Sequence, residues 1–435
     1  MGPIISNINI VFYIILWLLT FTAYHLKRRQ FDAGSVILLT YLVYSIMSLV
    51  LYNYDQPYYF YPIKLLPFIY LFLMLLLAVS PILVFNDKKI QQIYKPHLYL
   101  LNTVAIIYIA SSLAHLPTII SDFSTNIIKL VIETSGGKEL YDEAMSNTLD
   151  MGDGSISNFA AIISGAFSSL GILLFFYYLT FKKTNKLILI GLFLSIIVSL
   201  LSSISLGQRG LIIEIMYATI ITYFALKKFM PNYIKKTVKI AGFLLIIIIT
   251  LPIVFLTNSR FEKDEGGPIA SVIYYAGQEN LYFNNFGLDN NGIRYGDRTI
   301  PLFKRMLGYY NVPNNFWERR QKYPNLKIND EVFYTFVGDF TFDFGPILAT
   351  IMFVLFTFFV IQKTKIRNGR ILFHQLILIH FVMIVCMLGG LKLYSFSDVG
   401  GNLQLIVYFL VYIVFRLEYD ISLKLKKRKA ALIQV

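Results

Sequence analysis

Eleven apolar runs dominate this sequence and constrain its fold more than any other feature. Most of them approach or exceed the roughly 18 residues with which a helix crosses the hydrocarbon core of a bilayer. Charged residues make up only 15% of the chain and cluster between the runs. The expected fold is therefore an all-α polytopic integral membrane protein with about eleven transmembrane helices. The runs lie at about residues 4–24, 33–52, 63–85, 97–117, 158–181, 187–206, 210–226, 240–256, 346–361, 371–394 and 403–415.

The polar joints between the runs predict how the chain is oriented in the membrane. The joints after the first, third, fifth, seventh and ninth runs, together with the C-terminal tail, carry 24 of the 39 lysines and arginines. Cytoplasmic loops are enriched in these two residues. We therefore expect a basic cytoplasmic tail at 416–435 and an N-terminus on the outer side. The net charge of +14 then reflects topology and does not indicate a nucleic-acid partner.

This topology places two longer polar segments on the outer side of the membrane. Residues 1–256 hold the first eight helices, with a medium outer segment at 118–157. Apolar residues recur at helical spacing in that segment, which indicates a short helix on the membrane surface, with a gate as the less favoured alternative. Residues 257–345 form a long charged insert, expected to be one extracytoplasmic cap, and helices nine to eleven follow at 346–415.

The tight turn between the sixth and seventh runs contains the sharpest candidate residue, Arg209 between Gly207 and Gly210. Glycines let the backbone approach a ligand closely, and a helix N-terminus attracts phosphate. The guanidinium group pairs with phosphate oxygens bidentately, so Arg209 is a candidate phosphate ligand. The alternative is an arginine that only reaches the interface. Glu214, an intramembrane carboxylate and a functional candidate by default, either pairs with a basic residue of another helix or accepts a proton.

Two carboxylates, Asp339 and Asp343, end the insert within the aromatic run 333–345. They share one face whether the run is a strand or a helix, where they are four residues apart. A paired carboxylate edge over aromatic residues suits sugar hydroxyls, and one aspartate can act as a general base. The equally open alternative is an amphipathic entry into the membrane with solvated acids.

Several basic residues of the insert are candidates for binding anionic headgroups. The outer side of a membrane offers no nucleotide, so chemistry there must use pre-activated substrates such as lipid-linked phosphates. The alternative is a solvated loop that its own acids balance. No spacing resembles a metal site, so neither a metal nor a cofactor is expected. The diphosphate-binding candidates besides Arg209 are Arg260, Arg294, Arg298 and Arg305.

Three residues in the apolar runs are secondary candidates. Lys392, near the outer end of the tenth run, either completes a cationic site or only reaches the interface, and the second role is favoured. His380, in the middle of the same run, is expected to be a packed and hydrogen-bonded side chain. His115, near the outer end of the fourth run, is the better candidate for a catalytic histidine.

The chain resembles the Wzy-type polysaccharide repeat-unit polymerases of bacteria, which make O-antigen and capsule. The resemblance rests on about eleven helices with large outward loops, on Gly207-x-Arg209-Gly210 at the start of a helix, and on the run Tyr334–Gly345. It implies a metal-independent glycosyltransferase at the outer face of the bacterial plasma membrane. A glycan on a polyprenyl diphosphate would be the donor, and a hydroxyl of another lipid-linked repeat unit would be the acceptor.

The resemblance also implies roles for the candidate residues. Arg209 and the arginines of the insert would hold and neutralise the leaving diphosphate, while Asp339 or Asp343 would orient or deprotonate the acceptor. Membrane lipids, a flippase and a chain-length regulator would be the partners. Two other functions remain open: an O-antigen ligase type of glycan transferase, and, from a different class, a flippase or transporter of lipid-linked oligosaccharides.

Overall fold

The computed structural model describes residues 2–54, 59–85, 87–132, 156–261 and 267–433. Helices make up nearly all of it, and the one sheet pairs two short parallel strands, β1 (Gln92–Ile93) and β2 (Arg370–Ile371). The helices are α1 (Gly2–Arg28), α2 (Ala33–Tyr52), α3 (Leu65–Val84), α4 (Leu98–Ile132), α5 (Ile156–Tyr178), α6 (Lys186–Ser205), α7 (Arg209–Leu226), α8 (Asn232–Phe261), α9 (Gly267–Phe286), α10 (Pro301–Met306), α11 (Phe316–Lys322), α12 (Thr335–Lys363), α13 (Phe373–Gly389) and α14 (Asp398–Ile433).

Nine helices of the described residues are long and apolar enough to cross a membrane: α1 to α7, α12 and α14. A tenth, α13, is apolar but shorter. This confirms the prediction of a predominantly helical, multi-pass membrane protein. Each of the eleven apolar runs falls largely within one helix. The number of crossings itself stays a prediction.

The buried centre of the molecule follows α13. Nearly every residue of this helix is buried, and the helix contacts α2, α3, α5, α7, α12 and α14. A helix that is apolar all around its circumference must be enclosed by other helices. These six helices therefore surround α13, and the connection from α13 to α14 brings its residues to one end of the bundle.

The expected boundary of the fourth helix was wrong. Instead of ending at Pro117 and leaving a separate surface helix, α4 continues through this proline to Ile132. A proline inside a transmembrane helix is tolerated because neighbouring groups can satisfy the freed carbonyl. Residues 133–155 of the medium outer segment lie outside the described residues, and its last two residues begin α5.

The long insert contains the end of α8, the three helices α9 to α11, and the first part of α12. Helix α9 packs closely on α2, where a Cβ atom on Gly277 would lie 2.5 Å from the carbonyl oxygen of Met47. The Ser48 hydroxyl donates to the Gly277 carbonyl at 2.8 Å. Helix α12 begins well before the ninth apolar run and bends at Gly345, whose φ of 78° only glycine adopts readily, just before Pro346.

All the basic joints meet at one end of the bundle. The strand pairing β1–β2 joins the segment after α3 to the segment after α12. Contacts such as these support the alternation of joints that the charge pattern predicts, while the orientation of the termini stays a prediction. The other contacts are Arg28 to Phe85, Lys228 to Ile90, Lys227 to Phe31, Lys95 to Phe181 and Tyr94 to Tyr419.

Candidate functional site

The turn between α6 and α7 holds Arg209 at the start of α7. Gly207 ends α6 with a left-handed φ of 62°, a conformation that favours glycine and lets the chain reverse sharply. The guanidinium of Arg209 donates from Nη1 to the Thr257 hydroxyl at 3.0 Å and lies 4.4 Å from the ring centre of Tyr275. Helices α8 and α9 therefore fix the position of this arginine.

Lys392, in the connection between α13 and α14, reaches the same turn. Its Nζ lies 2.6 Å from Oε1 of Glu214 and 3.3 Å from the carbonyl oxygen of Gly210. Gly210 leaves room for this approach, because a Cβ there would lie 3.1 Å from the ammonium nitrogen. Of the two roles open to Glu214, the structure contains the pairing with a basic residue. The expectation that Lys392 only reaches the interface was wrong.

Arg209 and Lys392 line a cavity of about 570 Å³, which we call the cationic cavity. Its volume lies within the range of about 300–1,000 Å³ that is usual for ligand pockets. Among the described residues that line it, these two carry positive charge and none carries negative charge. Tyr44, Tyr217 and Tyr275 add aromatic surface. The cavity is therefore suited to an anionic group attached to a less polar body.

A second cavity, of about 360 Å³, lies on the other side of Glu214. We call it the serine cavity, because serines of α5 and α6 form much of its wall together with His115 and Gln404. Glu214 lines the serine cavity, and its partner Lys392 lines the cationic cavity. The ion pair between them therefore lies in the wall that separates the two cavities. The serines are Ser164, Ser168, Ser169, Ser199, Ser202, Ser203 and Ser395.

Asp343 lies on one face of α12 with Asp339, one helical turn away, as the spacing predicted. Both side chains are fully buried. Oδ1 of Asp343 lies 2.7 Å from Nε of Arg294, and Oδ2 accepts hydrogen bonds from the amide and the hydroxyl of Thr299, both at 2.7 Å. Both oxygens of this carboxylate are thus occupied by another part of the chain.

Asp339 is occupied in the same way. Its Oδ1 lies 2.7 Å from Nε of Arg298 and 3.2 Å from Nη2 of Arg294, while its Oδ2 accepts the amide N–H of Tyr394 at 2.6 Å. Neither Asp339 nor Asp343 lines the cationic or the serine cavity. The expectation of an open carboxylate edge, and its alternative of solvated acids, were both wrong because arginines of the insert bury the pair.

Arg298 continues these contacts towards the start of α14. Its Nη1 lies 2.6 Å from Oδ2 of Asp330, and Nη1 of Arg319 lies 2.9 Å from Oδ1 of Asp398. Burial alone would raise the pKa of Asp330, but Arg298 and Arg319 hold that pKa well below its ordinary value. We call the whole set the insert network. It comprises Arg294, Arg298, Arg319, Asp330, Asp339, Asp343 and Asp398.

The other arginines proposed from the sequence are not brought to a cavity by the described contacts. Arg305 donates from Nη2 to the carbonyl oxygen of Pro313 at 2.9 Å and so braces its own loop. The side chain of Arg260 lies outside the described part of the structure. Arg294 and Arg298 are buried in the insert network. Of the four arginines whose side chains are described, Arg209 is the one that the structure places beside the cationic cavity.

The two histidines of the apolar helices have different surroundings. His380 is fully buried, with Nε2 2.8 Å from the Thr222 hydroxyl and Nδ1 3.1 Å from the Tyr408 hydroxyl, which confirms that it is packed and hydrogen-bonded. His115 lines the serine cavity. Among the described residues, no group of three metal-binding side chains is arranged to hold a metal ion.

Glu279 of α9 is a buried acid that the sequence patterns did not single out. It is fully buried, its Oε1 accepts from Asn280 at 3.2 Å, and its Oε2 has no hydrogen-bond partner among the described residues. Burial raises the pKa of this carboxyl well above its ordinary value. The signal in the sequence is the group Gln278, Glu279 and Asn280 inside an otherwise apolar and aromatic stretch.

Comparison with known proteins finds no relative: no family model, no curated protein and no solved structure matches this chain. The fold and the two cavities must therefore carry any statement about function.

Proposed function

We propose that this chain is a membrane glycosyltransferase that joins polyprenyl-diphosphate-linked oligosaccharide repeat units into a polysaccharide such as O-antigen, capsule or exopolysaccharide. The observation that carries the proposal is the Lys392–Glu214 ion pair in the wall between the cavities. Lys392 borders the cationic cavity, which is suited to a diphosphate. Glu214 borders the serine cavity, which is lined with hydroxyl groups. The resemblance to Wzy-type polymerases implies the same division between cations for the diphosphate and a carboxylate for the acceptor, but it implied Asp339 or Asp343 as that carboxylate.

In this proposal the chain crosses the bacterial plasma membrane eleven times, with its N-terminus outside and its C-terminus in the cytoplasm. The insert forms an outer cap over the end of the bundle where Arg209 and Lys392 lie. The positive-inside pattern of the sequence supports this orientation. A flippase that delivers repeat units and a regulator of chain length are the proposed protein partners.

The proposed reaction is a substitution at the anomeric carbon of the donor glycan. The hydroxyl oxygen of the acceptor sugar forms a bond to that carbon, and the bond from the carbon to the diphosphate oxygen breaks. The diphosphate leaves with the electron pair, and Arg209 and Lys392 stabilise its growing charge, as preorganised cations do. The proton of the acceptor hydroxyl passes to the Glu214 carboxylate, which acts as general base.

The two aspartates of α12 have a positioning role in this proposal, in place of the contact with the acceptor that the sequence suggested. Asp339 holds the amide of Tyr394, two residues beyond Lys392 in the same connection. Asp343, Arg294 and Arg298 secure the insert against α12. They act on the reaction through the placement of Lys392 and do not touch the substrate.

The test is the lipid-linked glycan in cells that lack this protein and are complemented with variants. We expect single repeat units to accumulate on the outer leaflet with no complementation, with Arg209→Ala and with Glu214→Gln, and polymer to return with the wild type. Arg320→Ala is the matched control, because this arginine of the insert makes a half-exposed pair with Glu331. It is expected to restore polymer.

Other outcomes identify the other functions. Full-length polymer that stays on its lipid would indicate a ligase. Repeat units trapped on the inner leaflet would indicate a flippase. Either result would overturn the polymerase, and normal polymer with Arg209→Ala would overturn the site even if the deletion abolished polymerisation.

A further inference from the structure

We propose that the serine cavity is the binding site for the sugar of the acceptor, a neutral and polyhydroxylated ligand. The name "acceptor" rests on the proposed function, but the chemical class of the ligand rests on the cavity itself. The cationic cavity would then hold the diphosphate of the donor, and the two substrates would meet at the ion pair between Lys392 and Glu214.

The first observation is a set of hydroxyl groups that the protein leaves without hydrogen bonds. Serines in a helix commonly donate to the carbonyl four residues back, as Ser199 does to Ser195 at 3.1 Å and Ser203 does to Ser199 at 2.8 Å. Four serines of α5 and α6 that line the cavity make no side-chain hydrogen bond to another described residue. They are Ser164, Ser168, Ser169 and Ser202.

Ser164 is the most telling of the four, because it is only 7% exposed. The hydroxyl lines the serine cavity, so a molecule inside the cavity is what can satisfy it. The protein thus keeps unpaired donors and acceptors aimed at a space large enough for a ligand.

The charge of the lining excludes an anion as the preferred ligand. No lysine or arginine is among the described residues that line the serine cavity, whereas Glu214 is. Serine hydroxyls and the amide of Gln404 both donate and accept hydrogen bonds. Sugar hydroxyls do the same, so each can match a group of the wall. Apolar residues such as Ile119, Ile172 and Val198 also line the cavity and can contact the C–H groups of a sugar ring.

The position of Glu214 supplies the connection to the reaction. The carboxylate borders the serine cavity and is held by Lys392, which borders the cationic cavity. A sugar hydroxyl in the serine cavity can therefore reach the proposed base, while the leaving diphosphate stays beside Arg209 and Lys392. One ion pair would place the acceptor hydroxyl and the leaving group on opposite sides of the reacting carbon.

The experiment uses the full-length protein and does not depend on turnover. The chain has one cysteine, the buried Cys386, and replacing it with alanine gives a background for single cysteines. Ser168→Cys and Ser202→Cys report on the serine cavity, and Met216→Cys reports on the cationic cavity. The rate of labelling by a small water-soluble maleimide is measured alone, with inorganic diphosphate, and with the repeat-unit oligosaccharide released from its lipid by mild acid.

We expect the oligosaccharide to slow labelling at Ser168→Cys and Ser202→Cys and to leave Met216→Cys unchanged. At a concentration about ten times Kd, the slowing should be about tenfold by mass action. Inorganic diphosphate should show the reverse pattern. Labelling without protection would mean that the cavity holds only water. No labelling at either serine position, or equal protection at all three positions, would equally overturn the proposal.

A second pair of variants tests the cavity in cells. A Cβ on Gly165 would meet nothing within 4 Å, and Gly165 lines the serine cavity, so the side chain of Gly165→Leu should extend into that cavity. Gly242 of α8 has equally open space but lies outside both cavities, so Gly242→Leu is the matched control. We expect Gly165→Leu to abolish polymer and Gly242→Leu to preserve it.

The two proposals fail in different ways. If cells without the protein still make polymer, the proposed function is wrong, yet protection by the oligosaccharide would still establish a carbohydrate site. If the deletion abolishes polymer but the oligosaccharide protects neither serine position, the polymerase stands and the serine cavity is not its acceptor site.

Discussion

The molecule uses arginine and aspartate or glutamate in two different settings. In the insert network three arginines meet four aspartates, and nearly all of these side chains are buried. At the cationic cavity Lys392 pairs with the carboxylate of Glu214, and Arg209 lies beside the same open space. The aspartates of the first set are paired with arginines of the protein. The second set borders an open space whose described lining includes two cations and no acid, so an anionic ligand can enter beside them.

This difference separates structural from ligand-binding charges better than residue type or position in the sequence does. The arginines of both settings lie in polar segments on the same predicted side of the membrane. A buried ion pair is a weak source of net stability, but removing one partner leaves an unpaired buried charge. A cation beside a cavity can lose its side chain with less harm to the fold. Substitutions in the insert network should therefore lower stability more than those at the cationic cavity, where activity should be affected more than stability.

The strongest challenge to the comparison is Arg294→Met in the insert network. Removing this fully buried guanidinium leaves Asp339 and Asp343 without their shared partner, so we expect the free energy of unfolding to fall by about 3–5 kcal/mol. The measurement is thermal unfolding of the purified protein in detergent. Lys327→Met is the control, because the exposed pair of Lys327 with Asp289 should contribute only about 0–1 kcal/mol. A fall no larger than the control's would contradict a structural role.

The converse experiment is Arg209→Ala at the cationic cavity. The loss of one preorganised charge at a leaving group should lower the rate of glycosyl transfer about 10²–10³-fold, while the protein stays folded. Arg209→Lys should recover little, because an ammonium cannot reproduce the bidentate and ring contacts of a guanidinium. Transfer is measured on lipid-linked repeat units in membranes, and folding is followed by thermal unfolding. If Arg209→Ala lowered stability as much as Arg294→Met, the distinction between structural and ligand-binding charges would be contradicted.

A third variant extends the comparison to carboxylates. Arginines hold the pKa of Asp330 low, but burial without a cation raises that of Glu279. The folded protein keeps a proton on Glu279 that the unfolded chain loses above the ordinary pKa of about 4.3. The contribution of this proton to stability is fully present below that pKa and is lost as the pH rises towards the raised pKa of the folded state. Between these two pKa values the free energy of unfolding should fall by up to about 1.4 kcal/mol per pH unit.

Glu279→Gln should remove this slope and raise the melting temperature at neutral pH, because the amide imitates the neutral acid. The measurement is the difference in melting temperature between the variant and the wild type from pH 5 to pH 8. The difference should grow with pH. If it is constant, Glu279 does not change its protonation on folding, and the unpartnered oxygen has another explanation.

The smallest expected effect concerns the turn that positions Arg209. Gly207→Ala places a Cβ at a φ of 62°, which should cost roughly 1–2 kcal/mol. Gly242→Ala, inside α8, is the control and should be neutral or stabilising by up to about 1 kcal/mol. Melting temperatures of the two variants give the comparison. An unchanged Gly207→Ala protein would mean that the turn can adopt another backbone conformation.

Local patterns in the sequence predicted the helices well. Apolar runs of transmembrane length need no long-range information, and each run lies largely in a helix. The shared face of Asp339 and Asp343 likewise follows from a spacing of four residues. The predicted end of α4 at Pro117 was wrong, because the effect of a proline on a helix depends on neighbouring groups that the local sequence does not show. The helices of the insert were not predicted, because the whole charged segment was expected to be one loop.

Pairing between distant charges could not be predicted from the sequence. Glu214 and Lys392 are 178 residues apart and meet because α7 and the α13–α14 connection reach the same end of the bundle. The burial of Asp339 beneath Arg294 and Arg298 depends on the same kind of long-range placement. The turn that holds Arg209 is defined locally by two glycines, which is why the sequence could mark this arginine, whereas the loop arginines had no such local mark.

The short strand pair β1–β2 bears on how the protein is assembled in the cell. Its two strands, Gln92–Ile93 and Arg370–Ile371, are separated by most of the chain. A ribosome releases residues at about 5–20 per second, and the earlier part of a chain can fold first. The first strand must therefore wait, with its backbone groups unpaired, until the second emerges. The strands can pair only when most of the bundle has been synthesised. A chain truncated before Arg370 would leave the first strand unpaired and accessible to quality-control proteases.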